Sequence, residues 1–196
     1  ADCAFWCCDS LTVIVIPDSV TSIGDGAFSC CTSLTAINVD VNNQNYCSID
    51  GVLFNKDITE LICCPAGKSG SYSIPGSVTG IGEYAFEYCG LLTDITIPDG
   101  VTSIKDGAFF GCEALTDITI PEGITNIGCE TFSGCISLEN ITLPKSLKNI
   151  DYDAFSGCEM LTGILIPVGV TSIGSCAFQY CSELSTVTVP KSVINI

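Results

Sequence analysis

The stretch LTDITIPEGITNIGCETFSGC, residues 115–135, returns with changes along nearly the whole chain. Its proline marks a constant step of 23 residues, at Pro75, Pro98, Pro121, Pro144, Pro167 and Pro190. Two further columns keep this step, a phenylalanine column and a cysteine column: Phe5, Phe28, Phe86, Phe109, Phe132, Phe155 and Phe178; Cys8, Cys31, Cys89, Cys112, Cys135, Cys158 and Cys181. Periods of this length indicate a solenoid or a related array rather than a compact globule.

The first part of the unit predicts a short strand with one buried face. Leu115, Ile118 and Ile120 are spaced as L-x-x-I-x-I, and alternation over the last three positions is typical of such a strand. Pro121 ends the strand because it has no N–H to give to a sheet. One unit cannot bury its apolar side chains alone, so successive coils must stack, and their strands then form a parallel sheet with a spacing of about 4.8 Å.

The second part of the unit predicts a return path without a long element. Ile124 and Ile127 are expected to point inward, and Gly128 allows a turn. Phe132 and Cys135 are expected to close the coil on its far side. The Ala-Phe-x-x-Cys corner is too short for a stable helix, so we predict a single turn of 3₁₀ or α-helix there.

Three motifs carry a resemblance to a known family: the L-x-x-I-x-I-P strand, the V-T-S-I-G segment at 101–104 and 170–174, and the A-F-x-G-C corner at 108–112. Together they resemble the leucine-rich repeats, and more closely their BspA-like branch. The resemblance implies a repeat solenoid, an arc with a parallel β-sheet on the concave face and short turns or 3₁₀ segments on the convex face. It also implies a surface protein of mucosal bacteria or protists, extracellular, and often an adhesin for host matrix or for other cells.

The spacing predicts one repeat array over residues 1–196, with roughly eight coils. Residues 41–73 break the period. The simplest interpretation is a hairpin-like insertion, with strands at 51–54 and 60–63 and a turn at 55–57. An alternative is that 58–63 is itself a sheet strand followed by a shortened coil. The chain opens and ends within a unit, without the polar caps that arrays need, so we expect a piece of a longer protein.

Composition excludes several functions. The chain has 22 acidic and 6 basic residues, a net charge of −16, no arginine and no histidine. Nucleic acids and anionic lipids both need basic clusters, so neither is an expected partner. Without histidine the commonest general base and the Ser-His-Asp and Cys-His arrangements are absent, so we expect no enzyme, no catalytic residue and no cofactor. No apolar run is long enough to span a membrane.

The fifteen cysteines do not read as a disulfide framework. Those of the column would point the same way in successive coils, whereas bonded Cβ atoms must face one another about 3.8 Å apart. We therefore interpret them as small buried fillers and expect no metal site, because the adjacent pairs lack zinc spacing. The segment 40–44, with Asp50, offers oxygen ligands for calcium but lacks the glycine and distal glutamate of an EF-hand loop.

The outward positions of the strands form the surface where repeat proteins usually bind. They predict a polar, mildly acidic protein-binding face whose candidate residues are Asn38, Thr93, Asp94, Thr96, Thr116, Asp117, Thr119, Asn140 and Thr142. A simpler interpretation of the threonines is that they suit exposed strand positions.

Two functions remain open. One is a non-enzymatic adhesion or protein-binding module that uses the concave face to hold a protein ligand, such as a host matrix or cell-surface protein. The other is a structural acidic spacer that holds another domain away from the cell wall. The first rests mainly on the family resemblance. The sequence leaves the oligomeric state open.

Overall fold

A computed structural model describes residues 2–196, and this part of the chain is an arc-shaped β-solenoid of about eight turns without a helix. Its sixteen strands are short, two to six residues each. Their bounds are β1 Val13–Ile16, β2 Ala36–Val39, β3 Tyr46–Ile49, β4 Val52–Asn55, β5 Glu60–Cys63, β6 Ser69–Ser73, β7 Gly80–Ile81, β8 Leu91–Thr96, β9 Ser103–Ile104, β10 Asp117–Thr119, β11 Asn126–Ile127, β12 Asn140–Thr142, β13 Asn149–Ile150, β14 Gly163–Leu165, β15 Ser172–Ile173 and β16 Thr186–Thr188.

The predicted parallel sheet is present. Strands β6, β8, β10 and β12 lie side by side, and β14 and β16 continue the row as a parallel pair. Register follows the sequence period, so that Ile118 pairs with Ile141 and Ile164 with Val187, each 23 residues on. The strands therefore stack like on like, as equal coil lengths require.

A second sheet, which sequence analysis did not predict, lies on another side of the coils. The V-T-S-I-G segments supply two-residue parallel strands, β7 and β9 in one set and β11, β13 and β15 in another. Ile127 pairs with Ile150 and Ile150 with Ile173. These isoleucines are buried, as expected, while the segments around them also bond coil to coil through the backbone.

The Ala-Phe corner consists of short turns and contains no helix. The N–H groups of Ala108 and Phe110 make local turn bonds to residues three back, at 3.3 and 2.9 Å. Those of Gly107, Phe109 and Gly111 instead donate to the next coil, at 2.8–2.9 Å. A helix would turn every N–H along its own axis, so the need to bond every second N–H to the neighbouring coil excludes it. Gly107 and Gly111 accordingly adopt positive φ angles of 61° and 68°.

Five members of the phenylalanine column form a continuous stack in the larger core. Phe86, Phe109, Phe132, Phe155 and Phe178 have neighbouring ring centroids 5.2–5.4 Å apart, with nearly parallel rings. The first four are fully buried. Each ring covers the face of the next, which is how one coil hides its neighbour's apolar side.

The cysteine column has a polar role besides filling space. The thiols of Cys112, Cys135 and Cys158 each donate to the carbonyl of the phenylalanine one coil back, at 3.2 Å. All fifteen cysteines are free thiols, and Cys31, Cys89, Cys112, Cys135 and Cys158 are buried as predicted. The prediction fails at both ends of the column, because Cys8 is exposed and Cys181 is only partly buried. Cysteine is thus both a small apolar residue and a weak donor between coils.

The irregular segment is both a hairpin and a shortened coil. Strand β4 pairs antiparallel with β5, as in a hairpin, and β5 pairs parallel with β7, as in a coil. Leu61 lies opposite Ile81, 20 residues on rather than 23. The segment also contains a strand that sequence analysis missed, since β3 pairs antiparallel with β4 through a turn at Asp50–Gly51. Both turn residues have positive φ, at 50° and 78°, as the tight Asp-Gly hairpin turn requires.

This segment divides the core in two. On β4, Leu53 packs into the smaller N-terminal core, while Val52 and Phe54 pack into the larger core that holds the phenylalanine stack. All three side chains are fully buried. The hairpin therefore separates the two cores and contributes buried side chains to each of them.

The stack gives a stability prediction. We expect Phe132→Ala to lower the free energy of unfolding by about 3–5 kcal/mol, the usual cost of deleting a buried phenylalanine ring. Phe178→Ala should cost less, because Phe178 is only partly buried and stacks on one described ring instead of two. Urea denaturation followed by circular dichroism measures both. Equal losses would contradict the view that neighbouring rings on both sides stabilise each coil.

The cysteines give a reactivity prediction. The thiolate is the reactive form, and burial raises the pKa of Cys135 to about 12, so this thiol should be almost unreactive in the folded protein at pH 8. The exposed thiols of Cys3, Cys7, Cys8 and Cys176 should react with a chromogenic disulfide at once. Denaturant without reductant should release all fifteen. A lower count would show that disulfides form in the isolated protein.

Candidate functional site

The outward side of β6, β8, β10, β12, β14 and β16 is termed the strand face. Two columns of outward side chains run across it from coil to coil. The first is Ser71, Asp94, Asp117, Asn140, Gly163 and Thr186, and the second is Ser73, Thr96, Thr119, Thr142, Leu165 and Thr188. Strand alternation explains this placement, because the residues between them, such as Ile95 and Ile118, are buried.

The structure brings eight of the nine candidate residues together on the strand face. Thr93, Asp94 and Thr96 lie on β8, Asp117 and Thr119 on β10, and Asn140 and Thr142 on β12. Thr116 immediately precedes β10, and its carbonyl accepts the N–H of Glu139 at 2.9 Å. All but Thr116 are exposed.

Asn38 does not belong to this group. It is exposed on β2, but β2 pairs only with β1, in a separate two-stranded sheet. The other edge of β2 meets the hairpin turn, where the N–H of Ile37 donates to the carbonyl of Gly51 at 2.8 Å. A Cβ on Gly51 would lie 2.9 Å from the Cβ of Ala36, so only glycine allows this approach. The inserted turn thus separates Asn38 from the strand face.

Asp94 and Asp117 form an acidic pair at the centre of the strand face. They are paired in register on adjacent strands, so their carboxylates point the same way one coil apart. The amide of Asn140, next in the column, donates to Asp117 at 2.8 Å, and the hydroxyl of Thr96 lies 3.5 Å from Asp94. None of the six lysines is on the strands of this face. Like charges in register destabilise a sheet, and here no cation offsets them.

A shallow depression of about 210 Å³ surrounds the acidic pair. Thr96 and Thr119 border it together with Asp94 and Asp117, and the backbone of the intervening isoleucines forms its floor. Carboxylates beside hydroxyls provide acceptors for a charged donor and both partners for a peptide backbone. The depression suits a cationic side chain of an extended ligand.

Sequence analysis missed Ser71 and Ser73, which extend both columns by one coil. It assigned them to the irregular segment. The signal was present in Tyr72 and Ile74 before Pro75, which keep the I-x-I-P spacing with tyrosine at the first position. Neither column contains an aromatic residue. The second column contains one large apolar side chain, Leu165, which is 75% exposed.

The oxygen-rich segment at 40–44 is a structural turn. Asn43 is fully buried, and its amide nitrogen donates to the carbonyls of Pro17 and Val20, at 2.8 and 3.0 Å. Its oxygen accepts from the N–H groups of Asn45 and Tyr46, both at 2.9 Å. The side chain is saturated by the fold and has nothing left for an ion.

Residues 2–196 contain no group of three or more Cys, Asp and Glu side chains arranged to hold a metal ion. In the same part of the chain, no helix has the length and apolarity needed to cross a bilayer.

The chain resembles solved bacterial proteins in sequence and fold. A leucine-rich cell surface protein from Faecalibacterium prausnitzii is 40% identical, with a TM-score of 0.85, over 91% of this chain and 48% of its own. A leucine-rich repeat protein from Eubacterium ventriosum is 33% identical, with a TM-score of 0.76, over 94% of this chain and 56% of its own. The pneumococcal vaccine antigen PcpA is 29% identical, with a TM-score of 0.64, over 93% of this chain and 40% of its own. The chain thus spans about half the length of the first two.

No curated protein matches the chain in sequence. The family model for the BspA type leucine-rich repeat region matches residues 1–66 and 71–196, in six copies. The family and its structural neighbours point to a protein-binding repeat module. With nearly the whole chain covered by this model, the protein belongs to the BspA-type leucine-rich repeat family.

Proposed function

We propose that this protein is a non-enzymatic, extracellular protein-binding module that holds an extended segment of a partner protein on the strand face. The observation that carries the proposal is the acidic pair of Asp94 and Asp117, in register and without a cation. Such a pair does not serve stability, because like charges directly opposite each other destabilise a sheet. Its presence favours a role in contacting a cationic group of a partner.

We further propose that the module acts in adhesion and is located at the cell surface. Both roles are supported by the similarity to the F. prausnitzii cell surface protein and by the family of the repeats. A matrix or cell-surface protein with an exposed lysine or arginine on an extended segment would match the depression around the acidic pair. The net charge of −16 would draw such a basic surface towards the chain at long range.

A structural spacer is the second candidate. Its support is the continuous stack of phenylalanine rings, which makes a stiff rod out of the array. A spacer requires only exposed acidic residues anywhere on the surface, whereas a binding module requires them at defined positions. The two functions therefore respond differently to charge changes at matched sites.

A charge-reversal experiment separates the two functions. We expect Asp94→Lys combined with Asp117→Lys to abolish binding to the matrix proteins that the wild-type chain retains, because the lysines would repel the basic ligand. Asp99→Lys combined with Glu113→Lys makes the same net charge change at exposed positions away from the strand face, and should preserve binding. Biolayer interferometry against a panel of immobilised matrix proteins at physiological salt measures both variants.

Two outcomes would contradict the proposal. Equal loss in the two variants would show that net charge alone attracts the ligand. A wild-type chain that binds no panel member would favour the spacer. Circular dichroism of each variant confirms that the array is folded before binding is compared.

A milder substitution predicts opposite effects on stability and binding. Asp94→Asn removes the like-charge contact with Asp117, so the free energy of unfolding should rise by about 0.2–1 kcal/mol. The same change should weaken binding, because one carboxylate is lost from the depression. Urea denaturation and interferometry measure the two effects. Asp99→Asn, which is exposed and outside the strand face, should change neither.

A further inference from the structure

The corners of successive coils are joined by a regular set of hydrogen bonds. In five described corners every second N–H donates to the next coil, as Gly107 does to Cys129, Phe109 to Thr131 and Gly111 to Ser133, at 2.8–2.9 Å. The same pattern joins the first two corners, where Phe5 donates to Ala27 at 2.8 Å. A corner with a complete neighbour therefore leaves none of these donors free.

Two described corners lack this neighbour. One is the last, at residues 174–181, and the other lies inside the array. In the corner at residues 24–31, the equivalent donors are the N–H groups of Gly26, Phe28 and Cys30, and none of them bonds to another described residue. The reason is the shortened coil that follows. Its strand β5 leads directly into Cys64, which bonds onward to Ala85 at 2.7 Å but not back to the earlier corner.

The corner at residues 82–89 lies across the gap and has free acceptors. We call this corner and the corner at residues 24–31 the two walls. In a complete corner the carbonyls of Asp106 and Phe110 accept from Tyr84 and Tyr88, at 3.1 and 2.8 Å. Their equivalents one coil earlier are the carbonyls of Glu83 and Glu87, and these accept no hydrogen bond from a described residue. One wall thus presents three free donors, and the other presents two free acceptors on either side of the Ala85 carbonyl, which already accepts from Cys64.

A cavity of about 400 Å³ lies between the walls, within the usual size range of ligand pockets. We call it the corner slot. It is lined by both walls and by Ile62, Cys63 and Cys64, with Tyr46 and Asn55 of the hairpin on another side. Phe28 and Ile62 give the slot an apolar part, so it is more than a cluster of charges.

The charges in the corner slot are unbalanced. Asp25, Glu60, Glu83 and Glu87 line it, against a single lysine, Lys105, whose ammonium is already paired with Glu60 at 3.0 Å. The Oε2 atom of Glu87 is buried and has no hydrogen-bond partner in the described chain. Burial raises the pKa of Glu87, although a bond from the Ser29 hydroxyl opposes this shift. A cation in the slot would satisfy that oxygen.

We propose that the corner slot binds an extended, lysine-bearing segment of a partner protein, which lies along the corner at residues 24–31. The segment's carbonyls would accept from Gly26, Phe28 and Cys30, and an N–H group to one side of Cys64 would donate to the carbonyl of Glu87. This is strand addition, in which backbone bonds give affinity and side-chain pockets give specificity. The lysine ammonium pairs with Glu83 and Glu87.

This site is independent of the strand face. It lies between corners of different coils, and none of its lining residues belongs to β6, β8, β10 or β12. It rests on the fold and not on the proposed function, so either can fail without the other.

The first test needs no ligand. Amide hydrogen exchange followed by NMR should show fast exchange at Gly26, Phe28 and Cys30, and slow exchange at their paired equivalents Gly107, Phe109 and Gly111. Ala27 and Ser29 make turn bonds within the same corner and control for fraying of this part of the chain. Equal protection of all five residues in the corner would overturn the proposal, because the donors would then be occupied.

The second test uses the peptide acetyl-Val-Lys-Val-Lys-Val-amide as probe. Its addition should shift and protect the amides of Gly26, Phe28 and Cys30, and Glu83→Lys should weaken its binding by about tenfold or more, the loss of one charge-assisted contact. Glu113→Lys, the same charge change at an exposed turn, should leave binding within about twofold. The same peptide with methylated backbone nitrogens should not bind, because it has lost its donors.

Three outcomes would overturn the proposal: no shift at millimolar peptide, equal binding of the methylated peptide, or shifts confined to Thr96 and Thr119 on the strand face. The last outcome would instead support the proposed function of that face. Protection at the slot in the Asp94→Lys, Asp117→Lys variant would show that the slot acts independently of the strand face.

Discussion

Equal coil length is the constraint on which the rest of this structure depends. When each coil has 23 residues, every buried side chain meets its own equivalent in the next coil, and rings lie on rings at 5.2–5.4 Å. The backbone follows the same rule on three sides, through the long sheet, the short V-T-S-I-G sheet and the corner bonds. Coils that match in length therefore share one hydrogen-bond register and one core, and neither can change without the other.

The consequences of breaking this rule are visible at a single place. The coil that includes β5 is three residues short between Leu61 and Ile81, so it keeps register on one side and loses it on another. Its strands still pair forward with β7, and Cys64 still bonds to Ala85. The corner towards Phe28 is lost, the phenylalanine stack is interrupted, and the hairpin strand β4 fills part of the space. The corner slot is what remains unfilled. Natural arrays that bind through irregular coils would gain a site in this way without altering the regular ones.

Much of this fold could be predicted from the sequence, because the residues that recur every 23 positions are mainly those that pack in the core. The buried isoleucines, the phenylalanine stack and the cysteine column all follow from spacing. The corner could not be predicted so easily, because a turn with alternating local and inter-coil bonds has the same apolar pattern as one turn of helix. The pairing of β3 with β4 was within reach, since Asp50-Gly51 between apolar residues is a strong hairpin signal. The separation of Asn38 from the strand face could not be predicted, because it depends on the contact between Gly51 of that turn and Ala36.

Equivalent positions in successive coils can be compared with one another. At the inward position between the two columns the residues are Tyr72, Ile95, Ile118, Ile141, Ile164 and Val187, nearly constant because each must fit its neighbour. The outward threonine column varies little either, and strand propensity accounts for it without any ligand. The column of Ser71, Asp94, Asp117, Asn140, Gly163 and Thr186 contains five residue types in six coils, so neither packing nor propensity dictates it. A position that the fold leaves free, and that nonetheless carries two uncompensated charges side by side, is where a binding role has the strongest physical support. The threonines, by contrast, would be present whether or not anything binds.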